Sequence, residues 1–176
     1  MLIDSDDVQK AVKAIRAAGL GAVDLEAVLQ KYGEPPLTQI PRYLRLRTAT
    51  ELAVRFALEK PGSLIAVCGH TAVSTEMMLL GRNGVVHVLS DRRINDFERK
   101  TRFEIKLTNG SRFLGIPATS GRRQVIGYQI NLLLTEFDLY GLGLGHSTLD
   151  ELVRCVRPLP GIENCIITIT DDEADE

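Results

Sequence analysis

The chain has 176 residues, of which 21 are lysine or arginine and 23 are aspartate or glutamate, so its formal net charge is −2. This balance excludes a globally basic nucleic-acid-binding protein, because no overall positive field surrounds the chain. The length predicts one domain with a substantial core. Three cysteines without a CxxC pair argue against a disulfide framework or a zinc ribbon and favour a reducing, cytoplasmic setting.

The N-terminal part of the chain is predicted to be a helical arm over residues 1–34, with two short amphipathic helices. The Pro35-Pro36 pair cannot continue a helix and marks a boundary. An α/β core is predicted over residues 35–170, followed by a disordered acidic tail over residues 171–176. No apolar run approaches the roughly 20 residues that a membrane span requires.

The first half of the core alternates between strand and helix patterns. A short apolar segment at residues 43–46 is followed by a helix that begins at Thr48 or Thr50 and ends near Lys60. Leu64–Cys68 is apolar throughout, which indicates a strand buried on both faces, as in a parallel sheet. The turn Gly69-His70-Thr71 leads into a helix of about ten residues.

Further strands follow in the second half of the core. Residues 85–89 are predicted to form a strand, while the charged stretch after them gives no clear pattern. Two alternating runs, at 103–107 and 112–117, are joined by Asn109-Gly110, a dipeptide that favours a tight hairpin turn. The apolar run at 130–134 predicts another interior strand, which stops at a polar sequence.

The end of the core contains one more helix and one more strand. Ser147 or Thr148 with Glu151 forms a capping box for a helix that ends near Arg157, and residues 165–170 predict the last strand. The alternation predicts an α/β fold with a mostly parallel layered sheet, one β-hairpin and a small helical N-terminal arm.

The stretch that contains the hairpin and the strand after it resembles part of the ATPase core of phage large terminases, the motors that package DNA. That family has a strand, an Asn-Gly-Ser turn, a strand ending near proline, a loop closing on Arg-Gly, and a Walker B strand ending in Asp-Glu. Here the turn is Asn109-Gly110-Ser111, the proline is Pro117 and the glycine is Gly127. Ile126 replaces the arginine, and Thr135-Glu136 replaces Asp-Glu.

In chain order the resemblance covers residues 36–170 and implies a P-loop fold with a nucleotide site. Gln39 takes the place of the residue that reads adenine, and Thr50 that of the phosphate-loop residue that holds Mg²⁺. Glu136 takes the place of the catalytic base that orients water. Residues 166–170 correspond to the coupling strand that ends in threonine. The implied cofactors are ATP and Mg²⁺, and the implied place of action is the host-cell cytoplasm.

The resemblance also implies partners. DNA, phage packaging proteins and further copies of the chain are the expected ones, without a membrane partner. Arg122 and Arg123, beside Gly121, are predicted to contact phosphate or the DNA backbone. The chain stops where the nuclease domain of the family would begin, so no nuclease activity is expected.

The Walker motifs are degenerate. Thr48-Ala49-Thr50 occupies the position of Gly-Lys-Thr, which removes the glycine conformation and the lysine charge from the phosphate loop. Thr135 removes the carboxylate that normally orders Mg²⁺. The sequence therefore predicts impaired nucleotide hydrolysis, and Arg45 or Arg47 are the residues that stand near enough in sequence to replace the lysine.

A non-enzymatic α/β binding or assembly module is the alternative. In that interpretation Glu136 is a solvated acid at a strand end, and the arginines belong to scattered surface charge. Cys68 and His70 suggest a nucleophile and a base, but a buried structural cysteine is the simpler interpretation. The three histidines, at 70, 87 and 146, have no metal-ligand spacing to one another.

Overall fold

The computed structural model describes residues 37–120, 125, 127–138 and 147–170. The predicted arm and acidic tail, and the two arginines Arg122 and Arg123, lie outside the described residues. The described elements follow one another as a short 3-10 turn (Leu37–Gln39), β1 (Tyr43–Arg45), α1 (Leu46–Glu59), β2 (Leu64–Cys68), α2 (Ala72–Leu80), α3 (Val85–Asp91), β3 (Phe97–Lys100), β4 (Glu104–Leu107), β5 (Arg112–Gly115), β6 (Leu132–Thr135), α4 (Ser147–Cys155) and β7 (Ile166–Thr170).

A seven-stranded sheet forms the centre of the molecule, in the order β1-β7-β6-β2-β5-β4-β3. The first five strands of this order are parallel, β4 is antiparallel to β5, and β3 at the edge is antiparallel to β4. The fold is therefore α/β with a mostly parallel layered sheet, as the sequence predicts. The predicted hairpin is β4–β5, and Gly110 in its turn has φ +87°, a conformation that favours glycine.

Two apolar layers enclose the sheet. On one face α1, α2 and α3 cover side chains such as Val67 and Leu134. On the other face α4 and the segment after β5 cover Ala66 and Leu133. Successive residues of β2 and β6 thus point into different layers, which explains why both strands are apolar without alternation.

The strands β2 and β6 are hydrogen-bonded neighbours in the interior of the sheet, with Ile65 opposite Leu132 and Cys68 opposite Thr135. Every residue of both strands is buried. The expectation that both apolar runs form interior strands is confirmed.

Residues 85–89 form part of a helix, so the prediction of a strand there is wrong. Val85, Val88 and Leu89 are the buried residues of α3, and their spacing is that of a helix face. The β-branched valines favour a strand only weakly, and the packing of α3 against α1 and α2 overrides that preference. The helix α1 begins at Leu46, slightly before either predicted start. The charged stretch without a clear pattern contains β3.

Candidate functional site

The connections from β2 and β6 leave in opposite directions along the sheet. From β2 the chain continues through α2 and α3 to β3 at one edge of the sheet, and from β6 it continues to β7 on the other side. Because β2 and β6 are parallel neighbours, a crevice is expected outside their carboxyl ends, where ligands bind in open α/β sheets. The residues that follow these two strands, at 69–71 and 136–138, therefore define the candidate site.

Glu136 lies at this crevice, and hydrogen bonds fix it to the end of β2. Its carboxylate accepts a hydrogen bond from the backbone N–H of His70, with an N···O distance of 2.8 Å. Its own N–H donates to the carbonyl of Cys68 at 3.2 Å. The ring of His70 packs against that of Phe137, with centroids 4.2 Å apart. Glu136 is half-buried, so its second oxygen is the part of the carboxylate that remains for a ligand.

The loop after β6 extends from Glu136 across the carboxyl edge of the sheet. The carbonyl of Phe137 accepts a hydrogen bond from the hydroxyl of Thr168 on β7, at 3.1 Å. The carboxylate of Asp138 accepts one from the hydroxyl of Tyr43 on β1, at 3.0 Å. This loop therefore contacts the carboxyl end of β2, the middle of β7 and the first residue of β1, and it joins the three strands beside the crevice.

The turn between β2 and α2 is closed by hydrogen bonds within the chain. Thr71 caps α2: its hydroxyl oxygen accepts from the N–H of Ser74 at 3.1 Å, and the Ser74 hydroxyl accepts from the N–H of Thr71 at 3.0 Å. The hydroxyl of Thr75 accepts from the N–H of Gly69 at 3.0 Å. These backbone donors are already satisfied, so this helix start differs from an open phosphate cradle.

Thr135, which the terminase resemblance aligns with the Walker B acid, is buried and turned inward. Its hydroxyl oxygen accepts from the N–H of Phe137 at 3.1 Å. Burial raises the pKa of the neighbouring Cys68 thiol to about 12, although a hydrogen bond with Thr135 opposes the shift. Cys68 is therefore a protonated core residue at neutral pH, which excludes it as a thiolate nucleophile.

The residues that the resemblance assigns to the phosphate loop are engaged in contacts within the fold. Thr50 is buried on α1, and its hydroxyl donates to the carbonyl of Leu46 in the same helix. Arg47 forms ion pairs with Glu51 at 2.8 Å and with Asp91 of α3 at 2.7 Å. The Arg47–Asp91 pair joins α1 to α3, and the side chains of both Thr50 and Arg47 are already occupied by partners within the fold.

Gln39 lies towards the amino ends of the parallel strands, away from the crevice at their carboxyl ends. It precedes β1, and the carbonyl of its neighbour Ile40 accepts a hydrogen bond from Asn164, just before the amino end of β7. Glu136 follows the carboxyl end of β6. The structure therefore does not bring Gln39 together with Glu136, whereas Thr50 lies in the second turn of the helix that follows the carboxyl end of β1.

Several residues of the site were not predicted for it from the sequence. Tyr43, Asp138 and Thr168 act through long-range contacts, and His70 acts through its backbone N–H. Asp138 follows the predicted acid by two residues, which is the one local signal. The other contacts depend on the strand order, which periodicity does not reveal.

The described residues contain neither a cluster of metal-binding side chains nor a helix that could span a membrane. In that part of the chain no group of three histidine, cysteine, aspartate or glutamate side chains is arranged to hold a metal ion. No helix among the described elements is long and apolar enough to cross a membrane.

Comparison with known proteins gives no relative. The chain matches no protein-family model, and no curated protein or solved structure is detectably similar to it. A functional interpretation therefore depends on the residues and their geometry.

Proposed function

We propose that this chain is a terminase-like ATPase-fold protein of phage or prophage DNA packaging, with impaired nucleotide hydrolysis. The observation that carries the proposal is the side-by-side order β1-β7-β6-β2 of four parallel strands. In the terminase correspondence, β1 is the strand before the phosphate-loop helix and β7 is the coupling strand. β6 is the Walker B strand, and β2 is the next strand of the core. Their carboxyl ends lie on one edge, where a nucleotide site requires them.

The end of β6 and the start of α1 lie towards the same end of the sheet, with β7 between them. β1 and β6 are two strand spacings apart, roughly 10 Å, and Thr135 at the end of β6 is level with Tyr43, three residues before α1 begins at Leu46. A nucleotide bound between α1 and Glu136 would bridge both offsets. Glu136 projects from the β6 side, as a water-orienting carboxylate does in this reaction class.

Three contacts support impairment. The hydroxyl of Thr50 is bonded to its own helix, and Arg47 is paired with Glu51 and Asp91. Thr135 supplies a buried hydroxyl where Mg²⁺ requires a carboxylate. Phosphoryl transfer depends on positioned positive charge around the phosphates, and these residues do not supply it.

Calorimetry with ATP, in the presence of Mg²⁺ and then of EDTA, tests the proposal. The expected result is weak ATP binding whose heat does not change when Mg²⁺ is removed, because the two metal-binding positions carry engaged threonines. Binding should weaken in Glu136→Gln only slightly, and a Glu59→Gln variant, altered at an exposed acid of α1, serves as the matched control.

Turnover is measured on the same proteins. ATP hydrolysis by the wild type should be undetectable above the rate without protein. Robust Mg²⁺-dependent turnover that is abolished by Glu136→Gln and retained by Glu59→Gln would overturn the proposed impairment. Absence of any ATP binding would overturn the nucleotide-site assignment and favour the non-enzymatic binding or assembly module, which the engaged Thr50 and Thr135 also fit.

A further inference from the structure

The antiparallel end of the sheet is the most basic part of the described chain. Seven basic and three acidic residues lie between Arg92 and Arg112, a local excess of four positive charges in a chain whose net charge is −2. These residues include all of β3 and β4 and the start of β5, so the excess is concentrated at one end of the molecule.

Three cations within this region form a row across the strands. Arg99 on β3 lies opposite Lys106 on β4, and Lys106 lies opposite Arg112 on β5. Directly opposed residues share a face of a sheet, so the three side chains project from the same face about 4.8 Å apart. Their side chains are 64%, 36% and 34% exposed, respectively.

Such a row opposes folding, because like charges placed directly opposite each other destabilise a sheet. Two glutamates offset the repulsion: Glu104 pairs with Arg99 at 3.2 Å and with Arg112 at 3.3 Å, and Glu98 pairs with Lys106 at 2.9 Å. Three cations facing two carboxylates leave an unbalanced positive charge. The pairs of Arg99 and Lys106 are exposed, and exposed ion pairs contribute little to stability.

The face continues past the row to an aromatic ring. The guanidinium of Arg112 lies 5.8 Å from the centroid of the Tyr128 ring, which is half-buried. Arg112 also pairs in register with Leu64, whose side chain packs in the same layer as α4. The row therefore lies on the sheet face opposite α1, α2 and α3.

We infer that this cationic face, formed by Arg99, Lys106, Arg112 and Tyr128, binds the phosphate backbone of DNA. The ligand is a polyanion because the surface offers spaced cations on a flat sheet, which suits repeated phosphates. A membrane surface fits less well, since the large exposed apolar side chains of the described residues, Leu58, Val73 and Met77, lie on α1 and α2 at the opposite face. The choice of DNA rests on the proposed packaging function.

Fluorescence anisotropy with two short labelled duplexes of unrelated sequence tests this inference, with salt varied from about 50 to 200 mM. The double variant Arg99→Gln/Lys106→Gln should bind both duplexes about tenfold or more weakly at low salt, and the slope of log affinity against log salt should fall by about 2. A control variant, Arg82→Gln/Arg154→Gln, changes the same charge at two exposed residues outside the row. It should retain the wild-type slope.

Equal losses in both double variants would overturn the inference, because they would show general attraction without a defined face. Binding of the wild type to phosphatidylserine vesicles and not to DNA would also overturn it. Calorimetry with ATP separates this result from the proposed function. If ATP binds and DNA does not, the cationic face is refuted and the nucleotide site stands; if DNA binds through the row and ATP does not bind, the reverse holds.

Discussion

Gly69 forms the tightest junction of the candidate site, and Gly69→Ala tests whether that closeness is required. A Cβ atom at this position would lie 2.4 Å from the hydroxyl oxygen of Ser74 and 2.7 Å from the backbone nitrogen of Thr75. The serine hydroxyl can rotate away, but the Thr75 nitrogen belongs to the first turn of α2. An ordinary contact begins near 3.4 Å, so α2 must move by about 0.7 Å, the difference between 3.4 and 2.7 Å.

That displacement disturbs several bonds together. The N–H of Thr75 donates to the carbonyl of Thr71 at 3.0 Å, and the hydroxyl of Thr75 accepts from the N–H of Gly69. Overpacking of this kind costs about 1–3 kcal/mol. Urea denaturation measures the loss: for a slope of about 2 kcal/mol per molar, a loss of about 2 kcal/mol lowers the midpoint by about 1 M.

A Ser74→Ala background removes the contact with the Ser74 hydroxyl and keeps the two with Thr75, whose hydroxyl oxygen would lie 2.9 Å from the Cβ atom. Because the Thr75 nitrogen remains in place, Gly69→Ala should still destabilise the Ser74→Ala protein by about 1 kcal/mol or more. The substitution should weaken ATP binding only slightly, as Glu136→Gln does, since it reaches the site through the backbone N–H of His70 that holds Glu136. A Gly69→Ala protein with a urea midpoint equal to that of the wild type would refute the tight-junction argument.

Three further outcomes are expected. Leu133→Ala should lower the free energy of unfolding by about 2–5 kcal/mol in urea titrations, because Leu133 is fully buried in β6; a loss below about 1 kcal/mol would contradict its core position. The Cys68 thiol has a pKa of about 12 in the fold and about 8.5 when exposed, so unfolding releases a proton between these values. Stability should fall there by up to about 1.4 kcal/mol per pH unit, and Cys68→Ala should remove that part of the alkaline slope. Ala49→Lys alone should leave ATP turnover undetectable in a phosphate-release assay. In this variant Thr48 still replaces the glycine that a phosphate loop needs, and Thr135 still replaces the carboxylate that Mg²⁺ needs. Turnover in this variant would contradict that reasoning.

The parts of the fold that the sequence predicts are those with a strong local cause. Leu64–Cys68 is apolar on five consecutive residues, and such a run fits an interior strand of a parallel sheet. Asn109-Gly110 specifies a tight turn because Gly110 adopts a positive φ at little steric cost. Thr71 with Ser74 closes α2 through short-range hydrogen bonds. In each case the information lies within a few residues.

The remainder depends on contacts between distant residues. The helix Val85–Asp91 has only two turns, and its valines favour a strand until α1 and α2 pack against it. Glu136 can be recognised from its place after an apolar run, but its bond to the His70 N–H requires β2 and β6 to be neighbours. Strand order arises from the whole chain, so no local pattern reveals it.

The pairing of β1 also has a consequence for how the protein is made. Its register places Tyr43 against Thr168, and β7 is the strand to which β1 is hydrogen-bonded in the sheet. Nearly all of the core must therefore leave the ribosome before β1 can be paired, and contacts of such high sequence separation form slowly. Until β7 is made, the backbone N–H and C=O groups of β1 have no partner strand, and they can pair with another nascent chain. A truncation just before β7 should leave a collapsed but aggregation-prone intermediate, with α1 attached to a strand that has no neighbour.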